Sequence, residues 1–251
     1  MDGRTAIVTG GGKRVGAAIV TALLDDGWIV IAHVHRERDV VREGAIKAVA
    51  DLAGADCAER IFPPAEGPPP VRVLANNAAR FALDGFGDAS AEEFDAHLRV
   101  NVRAPLLLID ELARRHDRGE ALVVNLLDAK LAAPNADFLS YTISKYPLAG
   151  LSELAARALA GRAIRVNGIA PALMLPSGTQ DIENFEAVHD LNPLRRGIEI
   201  ADLISALRYL IDSTGMTGQT LTIDGGQRFL GLRRDVQFLS TPGDGQQLES
   251  K

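Results

Sequence analysis

Residues 5–16 constrain this chain more than any other stretch. Thr5–Thr9 is apolar on both faces and runs directly into Gly10-Gly11-Gly12, after which Val15–Asp26 carries apolar residues at helical spacing. A doubly buried strand that passes through glycines into a helix opens a βαβ unit, and such a unit needs parallel neighbours and cover on both faces. The alternation continues. Trp28–Val34, Ala45–Ala50, Val71–Ala75, Ala121–Asn125, Ile164–Ile169 and Gln219–Ile223 read as strands; Ala91–His97 into Pro105–Arg115, Ser140–Ala160 and Ile200–Ile211 read as helices. This order predicts an α/β fold, one doubly wound parallel sheet with helices on both faces and right-handed crossovers. Two places depart from even spacing. Glu37–Gly44 is too short to hold a crossover helix, and Pro63–Pro70 carries five of the twelve prolines, so the helix before the fourth strand must stop there.

Composition narrows the function. At 251 residues a single α/β domain is sufficient. The net charge of −6 argues against nucleic-acid binding. The one cysteine, Cys57, rules out an intrachain disulfide and a cysteine zinc cluster, and it reads as packing. No apolar run approaches ~18 residues and no signal peptide precedes the first strand, so a cytoplasmic protein without membrane attachment is expected.

Thr9-Gly10-Gly11-Gly12-Lys13-Arg14-Val15-Gly16 lies at the strand-to-helix junction, where glycines let the backbone approach a pyrophosphate and the helix N-terminus meets its charge. The second strand ends in His33-Val34-His35-Arg36. An acid there would accept from the ribose hydroxyls of NAD, whereas His35, Arg36 and the nearby Lys13 favour the additional phosphate of NADP; Glu37 is the one opposing charge.

With these stand Asn76-Asn77-Ala78 after the fourth strand, Tyr141-Thr142-Ile143-Ser144-Lys145, Arg165-Val166-Asn167-Gly168-Ile169-Ala170-Pro171, and Thr217-Gly218-Gln219 leading to Ile223-Asp224-Gly225-Gly226. Five motifs in this order, over residues 4–228, resemble the short-chain dehydrogenase/reductase family. The resemblance implies a Rossmann-type domain over residues 1–228 with a substrate lid at about 174–197; the remaining tail, 229–251, is polar and Gly-rich, above all over Ser240–Lys251, and is expected to be partly flexible. The resemblance implies NADPH/NADP+ as cofactor, held by Gly10, Lys13, Arg14, Val15, His35, Arg36, Asp51, Leu52, Asn77, Ala78, Tyr141, Lys145 and Pro171. It also implies a homotetramer, for which the apolar run Leu106–Ile109 is independent support.

Tyr141 and Lys145 are four apart in a helical pattern, so both project from one face. A phenol has pKa ~10, and an adjacent ammonium lowers it enough to make the hydroxyl a usable proton donor at neutral pH. In the family these two are the catalytic pair, with Asn101 supporting the lysine through a water. The fourth catalytic position usually holds a serine; here it is Asp128, an acceptor that could bind an amino-substituted ring, or carry a proton if its pKa is raised. Arg14 in place of a glycine, the His35-Arg36 pair, Asp128 and Phe81 together resemble the pteridine reductase branch. That branch implies a small pterin-like substrate touched by Arg14, Phe81, Asp128 and Tyr141. Ala79, Glu37 and Ala172 depart from its pattern. The expected activity is hydride transfer to a dihydropterin or dihydrofolate; the alternatives are a carbonyl or 3-oxoacyl reductase and a catalytically silent dinucleotide binder. No metal site is expected. His97 and His116 read as surface residues, and His189 as a lid residue that could meet substrate.

Overall fold

The computed structural model describes residues 3–64, 66–177 and 180–239, so the expectations for Ser240–Lys251 and for two positions of the lid lie outside the described residues. Seven strands form one parallel sheet: β1 (Thr5–Val8), β2 (Ile29–Val34), β3 (Ile46–Val49), β4 (Val71–Asn76), β5 (Ala121–Leu126), β6 (Ile164–Pro171) and β7 (Thr220–Ile223), in the order β3-β2-β1-β4-β5-β6-β7. The doubly wound α/β architecture of the Rossmann type is therefore present. Strand alternation distributes the core: Ile7 of β1 packs with Leu74, Val123 and Val166 on one face, while Ala6 and Val8 pack with Val73, Val124 and Ile169 on the other. Helices α1 (Arg14–Asp25) and α7 (Ile200–Asp212) cover the second face; α2 (Cys57–Ile61), α4 (Ala104–Arg115) and α5 (Leu139–Leu159) cover the first.

The chain reverses its direction of winding between β1 and β4, and the crevice beyond the carboxyl ends of those strands is where ligands bind in such sheets. The ends of β1, β4, β5 and β6 deliver the glycine loop, Asn77, Asp128 and Pro171 to that edge. A buried polar chain braces it from below. Asn76 Nδ2 donates to Asn125 Oδ1 at 2.8 Å, and Asn125 Nδ2 donates to Ser152 Oγ at 2.7 Å.

No helix forms across Glu37–Gly44, and α2 ends before the proline run, both as the sequence requires. Four features differ from expectation. The stretch expected to form a lid holds a helix absent from those read in the sequence, α6 (Ile182–His189), whose side-chain cap is Asp181. A π-helical turn, Arg99–Arg103, joins α3 (Ala91–Leu98) to α4 and carries Asn101. His97 is fully buried rather than on the surface, its Nδ1 held 2.9 Å from the Glu93 carbonyl. In the tail from Phe229, expected to be partly flexible, Val236 and Leu239 are buried against Val188.

Candidate active site

At the dinucleotide end, Gly10 has φ +66 and Arg14 has φ +51, the left-handed region that glycine occupies freely. Arginine at the second position costs roughly 1–2 kcal/mol, and its side chain donates to the Pro176 carbonyl at 2.8 Å, joining the glycine loop to the segment after β6. The N-terminus of α1 has neither a side-chain cap nor an acid in its first turn, so its amides are left to an anion. Asn77 fixes the loop from beneath: its Nδ2 donates to the Thr9 carbonyl at 2.8 Å, while the Asn77 and Ala78 amides donate to Thr9 Oγ1 at 2.9 and 3.0 Å. A Cβ on Gly10 would meet Ala78 at 3.2 Å, which places these two candidates in contact.

His35 and Arg36 are exposed at the end of β2, as a phosphate-binding pair must be. The opposing charge is dealt with locally, because Glu37 pairs with Lys47 at 3.1 Å. Asp51 faces His35 Nδ1 at 3.8 Å and accepts from the Ala53 amide, whereas Leu52 is buried in the core. Lys13 is exposed beside the loop, Val15 opens the first turn of α1, and Pro171 ends β6. The glycine backbone, the uncapped helix and the cations suit a dinucleotide with an additional phosphate.

At the chemical end, the Tyr141 hydroxyl donates to Asp128 Oδ2 at 2.8 Å, and the Lys130 amide donates to Asp128 Oδ1 at 2.8 Å. Lys145 Nζ donates to the Leu126 carbonyl at 2.6 Å and lies 5.3 Å from the Tyr141 ring centroid. Asn101 is buried, with Nδ2 donating to Ser144 Oγ at 2.8 Å and to the Arg80 carbonyl at 3.0 Å, while its Oδ1 accepts from the Arg80 amide. It therefore braces the turn of α5 between the tyrosine and the lysine, and ties that turn to the loop after β4.

The electrostatics reverse one expectation. Burial, followed by the Asp128 carboxylate, pushes the Tyr141 phenol well above its ordinary value instead of letting Lys145 lower it. Burial pushes Lys145 down to about 8, with Asp128 opposing the shift. Burial also raises Asp128, against the hydrogen bonds from Lys130 and Tyr141 and the charge of Lys145. Tyr141 is thus a neutral donor across the neutral range, and Asp128 is an acceptor able to take up a proton.

Phe81 is 38% exposed, stacks on Phe138 with centroids 4.3 Å apart, and meets the Tyr141 ring edge-on at 4.7 Å. Phe138 stacks in turn on Phe238 at 5.8 Å. The loop before α5 therefore contributes an aromatic wall that the sequence motifs do not announce, and the C-terminal segment extends it. Asp235, from that segment, pairs with Lys130 at 3.2 Å and raises both Asp128 and Tyr141 by its charge. The loop carrying Phe81 is fastened to α5 through buried Asp84, which accepts from the Ser140 amide at 2.9 Å and from the Ser140 hydroxyl. His189 Nε2 engages the Ile198 carbonyl at 3.0 Å, and its ring stacks on Phe185. Cys57 is buried packing. Among the described residues no cluster of histidine, cysteine and acidic side chains could hold a metal ion, and no helix is long and apolar enough to cross a membrane.

A family model described as enoyl-(acyl carrier protein) reductase matches residues 12–228. L-xylulose reductase of Bos taurus is 32% identical over 239 residues, covering 90% of this chain and 97% of the relative. Dihydromonapterin reductase of Citrobacter koseri is 25% identical over 232 residues, covering 88% of this chain and 95% of the relative. Among solved structures, FolM alternative dihydrofolate reductase 1 from Brucella canis, complexed with NADP, superposes with a TM-score of 0.80 at 32% identity, covering 91% of this chain and 95% of that one. With the ordered motifs, the sheet topology and a family match across most of its length, this chain belongs to the short-chain dehydrogenase/reductase family.

Proposed function

We propose that this protein is an NADPH-dependent reductase of a pterin-like ring, a dihydropteridine, dihydromonapterin or dihydrofolate. The observation that carries the reading is Asp128 in hydrogen-bond contact with the Tyr141 hydroxyl at 2.8 Å. A carboxylate at the reacting centre repels the oxyanion that develops when a ketone is reduced, but it accepts hydrogen bonds from an aminopyrimidine edge. The relatives that bear a pterin- or folate-reductase name support the same choice. L-xylulose reductase favours a carbonyl substrate as the second reading, on which Asp128 has no useful part.

The cofactor, when bound, supplies the hydride. The glycine loop, the α1 N-terminus, His35 and Arg36 would hold its phosphates, and Lys145 its nicotinamide ribose. The chain's own residues handle the proton and the ring. Tyr141, kept neutral by burial, gives its proton to the ring nitrogen of the C=N bond as the adjacent carbon is reduced. Asp128, raised by burial, orients the amino edge and shares the proton with Tyr141. Phe81 and Phe138 exclude water from one side and offer a flat face to the heterocycle. Lys145, fixed on the Leu126 carbonyl, places positive charge beside the phenol and offsets the negative charge that forms when the proton leaves.

The test is Asp128→Ser. Losing a buried charge-assisted hydrogen bond costs about 1.5–3 kcal/mol, roughly ten- to more than a hundredfold in kcat/KM on a dihydropterin. Reduction of a simple ketone holds or rises, because a hydroxyl donates to an oxyanion. Unchanged pterin turnover in the variant contradicts the assignment.

We also propose a homotetramer. Ile143, Tyr146 and Leu154 form an exposed apolar stripe along α5, and Leu106 is exposed on neighbouring α4. Such a stripe suits packing against the same helices of a second copy.

A further inference from the structure

The mechanism above leaves unused a buried titratable side chain that touches the glycine loop. His33 lies in β2, is 2% exposed, and stands opposite Ala48 of β3. Its Nδ1 is 3.2 Å from the Gly10 amide and its Nε2 is 3.1 Å from the Ala50 carbonyl. These two partners settle the tautomer. An amide N–H can only donate, so Nδ1 must carry the lone pair; a carbonyl can only accept, so Nε2 must carry the proton. The His33 backbone carbonyl also accepts from the Gly11 amide at 2.8 Å, so one residue grips two successive glycines of the loop.

From this geometry we infer that His33 is a positioning residue for dinucleotide binding, holding the glycine loop against β2 and the start of the adenine-side segment only while its ring is neutral. A proton added at Nδ1 would set N–H against N–H at Gly10, and that amide would lose its acceptor. Gly10 sits at φ +66, a conformation this contact helps to specify at the point where the pyrophosphate must approach. Ala50 immediately precedes Asp51, so the same ring links both sides of the adenosine site. Burial pushes His33 below its ordinary value; the Ala50 hydrogen bond opposes this, His35 on the same strand lowers it further, and Asp51 beyond β3 raises it. From the glycine loop, the atom facing the ring is the Gly10 amide, and the Lys13 and Arg14 side chains are exposed beyond it. Protonation also adds a positive charge near the phosphates, but across a solvent-facing loop that attraction is screened, whereas the Gly10 contact is lost outright.

The inference rests on the NADP(H) reading, and it is tested by binding rather than turnover. NADP+ and NAD+ are titrated onto the protein, followed by calorimetry, between about pH 8 and pH 4.5, because the buried ring charges only below its ordinary value. NAD+ is needed because a phosphate monoester itself titrates near pH ~6 and His35 adjoins that phosphate's site. Because burial keeps the ring neutral below its ordinary value, wild type should hold its NAD+ affinity to about pH 6 and lose up to about tenfold only at the acid end of the range, the worth of one hydrogen bond. His33→Asn keeps an oxygen acceptor near the Nδ1 position and cannot titrate, so it should bind at pH 8 within about threefold of wild type and show a nearly flat profile over the same range. His33→Leu should bind about tenfold more weakly at every pH. Thermal melting without ligand shows whether each variant is folded, and if His33→Leu is not, the comparison of His33→Asn with wild type stands alone. Parallel pH profiles for wild type and His33→Asn overturn the inference. A folded wild type that binds neither dinucleotide at pH 8 overturns the cofactor reading and this inference with it.

Discussion

Asp128 decides more at this site than the Tyr141–Lys145 pair that marks it in the sequence. Its negative charge raises Lys145, whose value nevertheless falls to about 8 because burial is the larger effect. Lys145 is therefore the group that titrates on the alkaline side, since Tyr141 lies well above its ordinary range. Loss of its proton removes the positive charge beside the phenol, so kcat/KM should fall with an apparent pKa near about 8. Replacing Asp128 with Asn removes the charge that opposes the shift, and the alkaline limb of the pH–rate profile should move to lower pH. A limb that stays in place, or moves upward, would show that another group sets it. The sequence makes all three side chains visible as a constellation, yet it gives the wrong direction for the phenol. Motif spacing reports that an ammonium is near; it does not report that burial and a neighbouring carboxylate outweigh it.

At the scale of elements, strands and long helices are legible because their burial is written as periodicity. Val71–Asn76 and Ala121–Leu126 are buried along almost their whole length, and apolar runs of that kind announce themselves. The segment Gln227–Leu239 is not legible. It has no period, and its contribution comes from isolated long-range contacts: Phe238 on Phe138, Asp235 on Lys130, and Arg234 on Asp137 at 2.9 Å. The burial of His97 is hidden for a similar reason, because α3 carries acidic side chains around a histidine that faces inward. The end of β2 carries a prediction of its own. His35 and Arg36 are exposed there with Glu37 drawn off by Lys47, so the net local charge towards a phosphate is positive. A charge-assisted hydrogen bond of about 1.5–3 kcal/mol implies at least a tenfold preference for NADPH over NADH in kcat/KM. Arg36→Ala should remove most of that preference while leaving NADH kinetics nearly unchanged. Equal use of both cofactors by wild type would contradict the assignment of this strand end.

For the whole molecule, the parallel sheet places every candidate group at one edge, and the helices that carry the chemistry also carry the exposed apolar stripe. Light scattering at micromolar concentration should give four times the 26.8 kDa chain mass; a monomeric mass would refute the tetramer. The central claim, that this edge reduces a pterin-like ring with NADPH, is tested most directly by following NADPH oxidation over one panel of dihydrobiopterin, dihydromonapterin, dihydrofolate, L-xylulose and simple ketones. The account predicts turnover of at least one pterin or folate, with kcat/KM at least tenfold above that for any ketone or sugar, a margin of about 1.4 kcal/mol in transition-state binding. Turnover confined to ketones or sugars would contradict it.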